Sequence, residues 1–177
     1  MTTLVVTLIG PDRPGMVNAV SDKAIAHGAN WTDSLMANFA GQFAGIVQLD
    51  VAPAQCDALV ADLRSLQAPD LQITVTTTRG AGPAGAARRI KLDLLGHDRP
   101  GIIQSISSQL ARHGVGIDKL NTHLISGAMS GEQLFRMEAS LSLPPGLDPA
   151  LLQQALEGLA NELMVDLSLD AAASAPG

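Results

Sequence analysis

The sequence predicts an α+β fold made of two ferredoxin-like βαββαβ modules, each a four-stranded antiparallel sheet with two helices on one face. Three observations predict it. A hexapeptide, Gly10-Pro11-Asp12-Arg13-Pro14-Gly15, recurs as Gly96-His97-Asp98-Arg99-Pro100-Gly101 at an offset of 86. The periodicities that follow each copy come in the same order. A stretch rich in Gly, Ala and Pro, Thr78–Ala87, separates the two.

The repeat extends well beyond the hexapeptide. At the same offset Met16, Val17 and Val20 match Ile102, Ile103 and Ile106, Ala24 matches Leu110, and His27-Gly28 matches His113-Gly114. An insertion around Ser126–Glu132 then moves the offset to 92, where Phe43, Val47, Leu49 and Val51 match Phe135, Ala139, Leu141 and Leu143. One offset held over so many positions marks a duplicated structural unit.

Leu4–Ile9 and Ile90–Leu95 read as first strands. Ile90, Leu92 and Leu94 alternate with Lys91 and Asp93, the period of a half-buried strand. In the first copy Val5, Thr7 and Ile9 make the second face largely apolar too, which predicts a sheet covered at least partly on both sides. Helices follow, with Pro14 and Pro100 suited to the first turn, where a missing N–H costs nothing. Val17, Val20 and Ala24, like Ile103, Ile106 and Leu110, fall at i, i+3, i+7 and predict the buried stripe. Gly28 and Gly114 suit the left-handed position past a helix end.

Hairpins come next, over Trp31–Asn38 and Gln42–Val51, and over Ile117–Ser126 and Gln133–Leu143. Asn38–Gly41 predicts a tight turn. Pro53 and Pro144-Pro145 break the chain before second helices, whose stripes are Leu59, Leu63, Leu66 and Leu152, Leu156, Leu159, Leu163. Last strands are expected over Leu71–Thr76 and Met164–Leu169. The modules are thus expected at 1–77 and 89–170, with a linker at 78–88 and a frayed tail at 171–177.

Composition excludes several function classes. Hydrophobic residues make up 46% of the 177, but aromatics only 2%, so Leu, Val, Ile and Ala fill the cores. Small modules of this kind are marginal alone and gain by packing or dimerising. The net charge is −6, and both halves are acidic, with five basic against seven acidic groups in 1–88 and six against ten in 89–177. A direct grip on DNA needs clustered Lys and Arg to displace phosphate counterions, and none is present. No apolar run is long enough to span a bilayer, and no signal peptide is evident, so the expected location is cytoplasmic.

The single cysteine, Cys56, forms no internal disulfide and reads as an ordinary helix residue. His27, His97, His113 and His123 lack metal-ligand spacing, so no metal is expected. His27 and His113 sit at helix ends, where the dipole favours them. Met16-Val17 and Ile102-Ile103 stand where a phosphate loop requires Lys-Ser/Thr, which excludes a nucleotide P-loop. No serine lies in a nucleophile elbow and no acid–base pair emerges, so neither an enzyme nor a cofactor is expected.

The strand–loop–helix joint is the candidate site: Asp12, Arg13, Pro14, Gly15 and Met16, and again Asp98, Arg99, Pro100, Gly101 and Ile102. Unpaired N–H groups and the positive dipole end at a helix N-terminus attract a carboxylate. Gly15 and Gly101 would let a ligand approach the backbone. Asp12 or Asp98 offers a partner for an ammonium group, and Arg13 or Arg99 for a carboxylate. A zwitterionic amino acid needs that pair. The simpler reading is that both aspartates cap their helices and both arginines are solvated.

A first strand, Gly-x-Asp-Arg-Pro-Gly, an amphipathic helix ending in His-Gly and a hairpin resemble the ACT domain, a family of small-molecule-binding regulatory modules. Two modules filling a chain of this length resemble the glycine cleavage system transcriptional repressor family, over roughly nine tenths of the residues on the boundaries above. The resemblance implies a non-catalytic regulator of glycine cleavage or one-carbon genes. It implies an amino-acid ligand, possibly glycine, and a homo-oligomer. With the acidity of the chain, it implies action through a DNA-binding partner protein. The alternative is a stand-alone amino-acid sensor that controls a metabolic enzyme by contact. The family's ligand lies between this loop and the start of the second strand of a neighbouring module, here Asn30-Trp31 and Gly116-Ile117. Gly116 lacks the amide of Asn30, which sets the second module apart.

Overall fold

The computed structural model describes residues 1–78, 88–126 and 132–171. The chain forms two compact units that divide between the fourth and fifth strands. The first contains β1 (Thr2–Pro11), α1 (Met16–Ala26), β2 (Asn30–Phe39), β3 (Gln42–Val51), α2 (Pro53–Arg64) and β4 (Gln72–Thr78). The second contains β5 (Arg88–His97), α3 (Ile102–Arg112), β6 (Gly116–Ser126), β7 (Gln133–Leu143), α4 (Pro149–Leu163) and β8 (Val165–Ala171). The sheets have strand orders β2-β3-β1-β4 and β6-β7-β5-β8, antiparallel throughout. This is the α+β, tandem ferredoxin-like architecture that the repeat predicts. The strands run slightly further than their sequence signals: Thr78, Arg88 and Ala171 are all paired. The rest of the linker, the tail beyond 171 and most of the 126–132 insertion lie outside the described residues.

Each sheet buries one face under its helices. In the first, Leu4, Val6 and Leu8 of β1 meet Val47, Leu49 and Val51 of β3 and the helix residues Met16, Val20, Ala24, Leu59 and Leu63. In the second, Ile90, Leu92 and Leu94 meet Ile102, Ile106, Leu110, Leu152 and Leu156. Cys56 is buried in the first core. Two details of the helices correct the sequence reading. The buried stripes run at i, i+4, i+8, through Met16, Val20, Ala24 and Ile102, Ile106, Leu110. Val17 and Ile103 are therefore 43% and 40% exposed. The helices also begin later than the prolines suggest: Gly15 and Gly101 are the N-cap residues, at φ 94° and 96°, and Pro14 and Pro100 precede them. A left-handed turn must come first, and only glycine adopts it without strain.

Within its own module the first sheet is covered by helices on one face only, short of the cover on both sides that the sequence predicts. Val5, Thr7 and Ile9 point away from the helices, and Ile9 is 47% exposed. Both helices pack on the same side because α1 and α2 share one core with the even-numbered residues of β1.

The edge strands β2 and β6 each carry a β-bulge at the same repeat position, between Trp31 and Asp33 and between Ile117 and Lys119. The first hairpin closes through Ala40 and Gly41, both at positive φ, as a two-residue turn between twisted strands requires. His27 and His113 are the C-cap residues, and Gly28 and Gly114 take the left-handed position beyond them, at φ 63° and 66°.

Candidate functional site

The joint between β1 and α1 is held from two sides. On one side Gly41 O accepts from Asp12 N at 2.8 Å, and Asn38 Nδ2 donates to the Asp12 carboxylate at 2.6 Å. On the other side Arg13 Nη1 donates to Asp70 Oδ2 at 3.0 Å, just before β4. The loop is thus clasped between the β2–β3 hairpin tip and the entry to β4. Gly10 permits this closeness, since a Cβ there would lie 2.6 Å from Asp70 O. Beneath the clasp lies a cavity of about 260 Å³, lined by Arg13, Pro14, Gly15 and Met16 and floored by Leu66, Leu71 and Ile73.

The second joint keeps the backbone half of this arrangement and lacks the side-chain half. Asp98 N donates to Gln133 O at 3.3 Å, as Asp12 N does to Gly41 O. No hydrogen bond or ion pair to the Asp98 carboxylate occurs among the described residues. Arg99 Nη2 is buried and has no hydrogen-bond partner. The reason is the turn before the last strand. By register Val165 takes the place of Leu71 and Met164 that of Asp70, so no carboxylate stands opposite Arg99.

Neither helix takes a side-chain cap from its aspartate. The N-cap residues are glycines with no side-chain bond, and Asp12 is spent on Asn38. The capping reading of Asp12 and Asp98 is overturned. Gly15 and Gly101 have nothing within 4 Å of an added Cβ, so their role is backbone conformation. Met16 and Ile102 are 7% and 2% exposed and anchor the first helical turn in the core.

The other half of the expected site is remote within its own module. Asn30 pairs with Asp50, which pairs with Thr3, at the opposite end of β1 from Asp12. A strand advances about 3.3 Å per residue, so the two halves stand roughly 30 Å apart. A site using both needs the loop of one module and the strand start of another. Trp31 is half-buried against the first core. Gly116, the counterpart of Asn30, has Ser142 Oγ 2.5 Å from where its Cβ would stand, so a hydroxyl from β7 occupies that corner. Ile117 is 40% exposed.

Sequence reasoning missed Asn38, Asp70 and Ser142. Each reaches the joint or strand start from a neighbouring strand or turn, and only the strand order reveals it. Near the strand-start end, His27 Nε2 lies 2.9 Å from Asp62 Oδ2 and Nδ1 lies 3.3 Å from Gln55 Oε1. This ties the end of α1 to α2 and goes beyond the dipole role read for His27. Among the described residues no group of three His, Cys, Asp or Glu is placed to hold a metal ion. No helix among them is long and apolar enough to cross a membrane.

A βαββαβ sheet with a Gly-x-Asp-Arg-Pro-Gly joint, built twice, is the architecture of ACT-type modules. The ACT domain model matches residues 2–76, and the second unit repeats the same strand order. The chain is similar to the glycine cleavage system transcriptional repressor. It is 25% identical over 171 residues to that repressor from Escherichia coli (strain K12), covering 94% of this chain and 88% of the relative. The repressor of Shigella flexneri matches to the same extent. An unknown protein from Galdieria sulphuraria has a crystal structure that superposes with a TM-score of 0.80 at 29% identity, covering 97% of this chain and 99% of that one.

Proposed function

We propose that this protein is a non-catalytic, cytoplasmic regulator that senses an amino acid and acts on transcription of glycine cleavage or one-carbon genes through a DNA-binding partner protein. Its modules, over 1–77 and 89–170, work as a homo-oligomer. One observation carries the reading: the same joint is built twice, closed in the first module and open in the second. Arg13 is ion-paired with Asp70, and Asp12 accepts from Asn38 within the chain. Arg99 and Asp98 present opposite charges with no partner, beside unpaired N–H groups at a helix start. A buried guanidinium nitrogen left unpaired is costly, and a ligand carboxylate removes that cost. The ammonium of the same ligand falls to Asp98. The similarity to the named repressor supports the transcriptional role, and the net charge of −6 supports action through a partner.

Calorimetric titration of the full chain with glycine, serine and other amino acids tests the ligand. Saturable binding is expected, and Arg99→Ala and Asp98→Asn are each expected to weaken it at least tenfold. Absence of binding by every amino acid tried rejects the sensing role. A mobility-shift assay tests the partner: the protein alone leaves promoter DNA unshifted and alters the shift made by a DNA-binding regulator. Tight, salt-sensitive binding by the protein alone contradicts the proposal.

A further inference from the structure

The duplication supplies an internal control for the outer sheet faces, those turned away from the helices. In the first module three rows cross the four strands: Leu35–Ile46–Thr7–Thr74, Ala37–Ala44–Ile9–Gln72 and Asp33–Gln48–Val5–Thr76. The equivalent rows in the second are Asn121–Glu138–Asp93–Ser168, His123–Arg136–Leu95–Asp166 and Lys119–Ser140–Lys91–Asp170. The second face is what a solvated sheet requires. Its charges pair within the face, Arg136 with Asp93 at 2.8 Å and with Glu138 at 3.2 Å. The three rows of the first face carry one charge, Asp33, at a corner, and the end row beyond them adds Asp50, which accepts from Thr3 Oγ1 at 2.6 Å. Leu35, Ile46 and Ile9 remain 55%, 49% and 47% exposed at its centre, around an open groove of about 450 Å³.

We infer that this outer face of the first module is the surface on which a second copy of the chain docks, sheet against sheet. The inference rests on the proposed self-association and assigns its surface. Contiguous exposed apolar area of this kind marks an interface. Charge selects the occupant. Placing the face against the outer sheet of a second module would strip water from Lys91, Asp93, Lys119, Arg136 and Glu138 and offer them nothing in return. Another copy of the same face, whose two charges Asp33 and Asp50 lie at its margin, avoids most of that penalty, and a twofold axis makes it self-complementary. The size fits: four strands by about 25 Å gives roughly 500 Å² per copy and about 1,000 Å² in total, the lower bound of a specific interface. Aligned sheets packed about 10 Å apart accommodate Leu35, Ile46 and Ile9 between them.

Mass measurement by light scattering or sedimentation at micromolar to submillimolar concentration tests this. The wild-type chain is expected at a multiple of 18.3 kDa. Ile46→Lys is expected to halve that mass, with dissociation at least a hundredfold easier and an unchanged far-ultraviolet spectrum. Ser168→Lys, on the second module's outer face, leaves the mass as it was. Thr7→Lys, an exposed neighbour of Ile46, repeats the test if Ile46→Lys does not fold. A wild-type chain that runs at 18.3 kDa overturns both the self-association and its surface. A wild-type oligomer whose mass Ile46→Lys and Thr7→Lys leave intact overturns the surface alone.

Discussion

The Asp12 carboxylate accepts a hydrogen bond from Asn38 Nδ2 at 2.6 Å, which latches the β1–α1 joint to the tip of the first hairpin. The residue that the sequence offers as an ammonium partner is therefore already engaged inside the first module. A ligand entering there competes with Asn38 for the carboxylate and with Asp70 for Arg13. Asn38→Ala removes the first competitor. At about 1 kcal/mol for a net hydrogen bond, the variant is expected to bind an amino acid roughly fivefold more tightly at the first joint. Titration in an Arg99→Ala background isolates that joint.

The glycines that start the helices make a separate prediction. Gly15 and Gly101 sit at φ 94° and 96° with open space around them, so an alanine meets no obstacle except its own backbone. Gly15→Ala and Gly101→Ala are each expected to cost about 1–2 kcal/mol, read as a lower midpoint in urea with an unchanged slope.

His27 bridges α1 and α2 through Asp62, with Lys23 3.7 Å from the same carboxylate. The hydrogen bond that His27 donates to Asp62, helped by the one to Gln55, raises the His27 pKa above its ordinary 6.5. The hydrogen bond from His27, followed by the charge of Lys23, lowers the Asp62 pKa below its ordinary 3.8. The His27 contribution is complete below 6.5 and is lost as pH rises through the raised value. The Asp62 contribution is present above 3.8 and is lost as pH falls through the lowered value. The stability difference between wild type and His27→Ala is thus expected to be largest between 3.8 and 6.5 and to shrink on the alkaline side. Urea titrations across pH measure it, and a difference that grows above neutrality contradicts the bridge.

Ile106 is fully buried in the second core, between the β5 and α4 side chains. Ile106→Ala is expected to cost about 2–5 kcal/mol, depending on how far the leucines around it collapse. Thermal denaturation of the full chain checks the loss.

Much of the fold is legible in the sequence because its signals are local. The periodicity of Ile90–Leu94, the glycines past each first helix and the short turn at Asn38–Gly41 each report backbone conformation within a few residues. The helix starts misled because proline suits a first turn in general, whereas here a left-handed glycine must precede the helix. The candidate site is half legible. The hexapeptide marks the joint, but whether its charges are free depends on Asp70 and Asn38, which the strand order alone brings to it. Asp98 and Arg99 look like exact copies of Asp12 and Arg13 in the sequence. They differ in the fold because the residue before Val165, at the place that Asp70 holds in the first module, is Met164.

The single extra residue in β2 and in β6 decides the parity of everything after it in those strands. In a regular strand Leu35 would turn inward with Trp31's phase and Met36 outward; absorbing Thr32 in the bulge reverses them. The same offset in β6 turns Leu120 inward and Lys119 outward. The same irregularity thus turns Leu35 to the free side in one half and Lys119 in the other, so the side chains at those positions, not the kink, decide which free face is greasy.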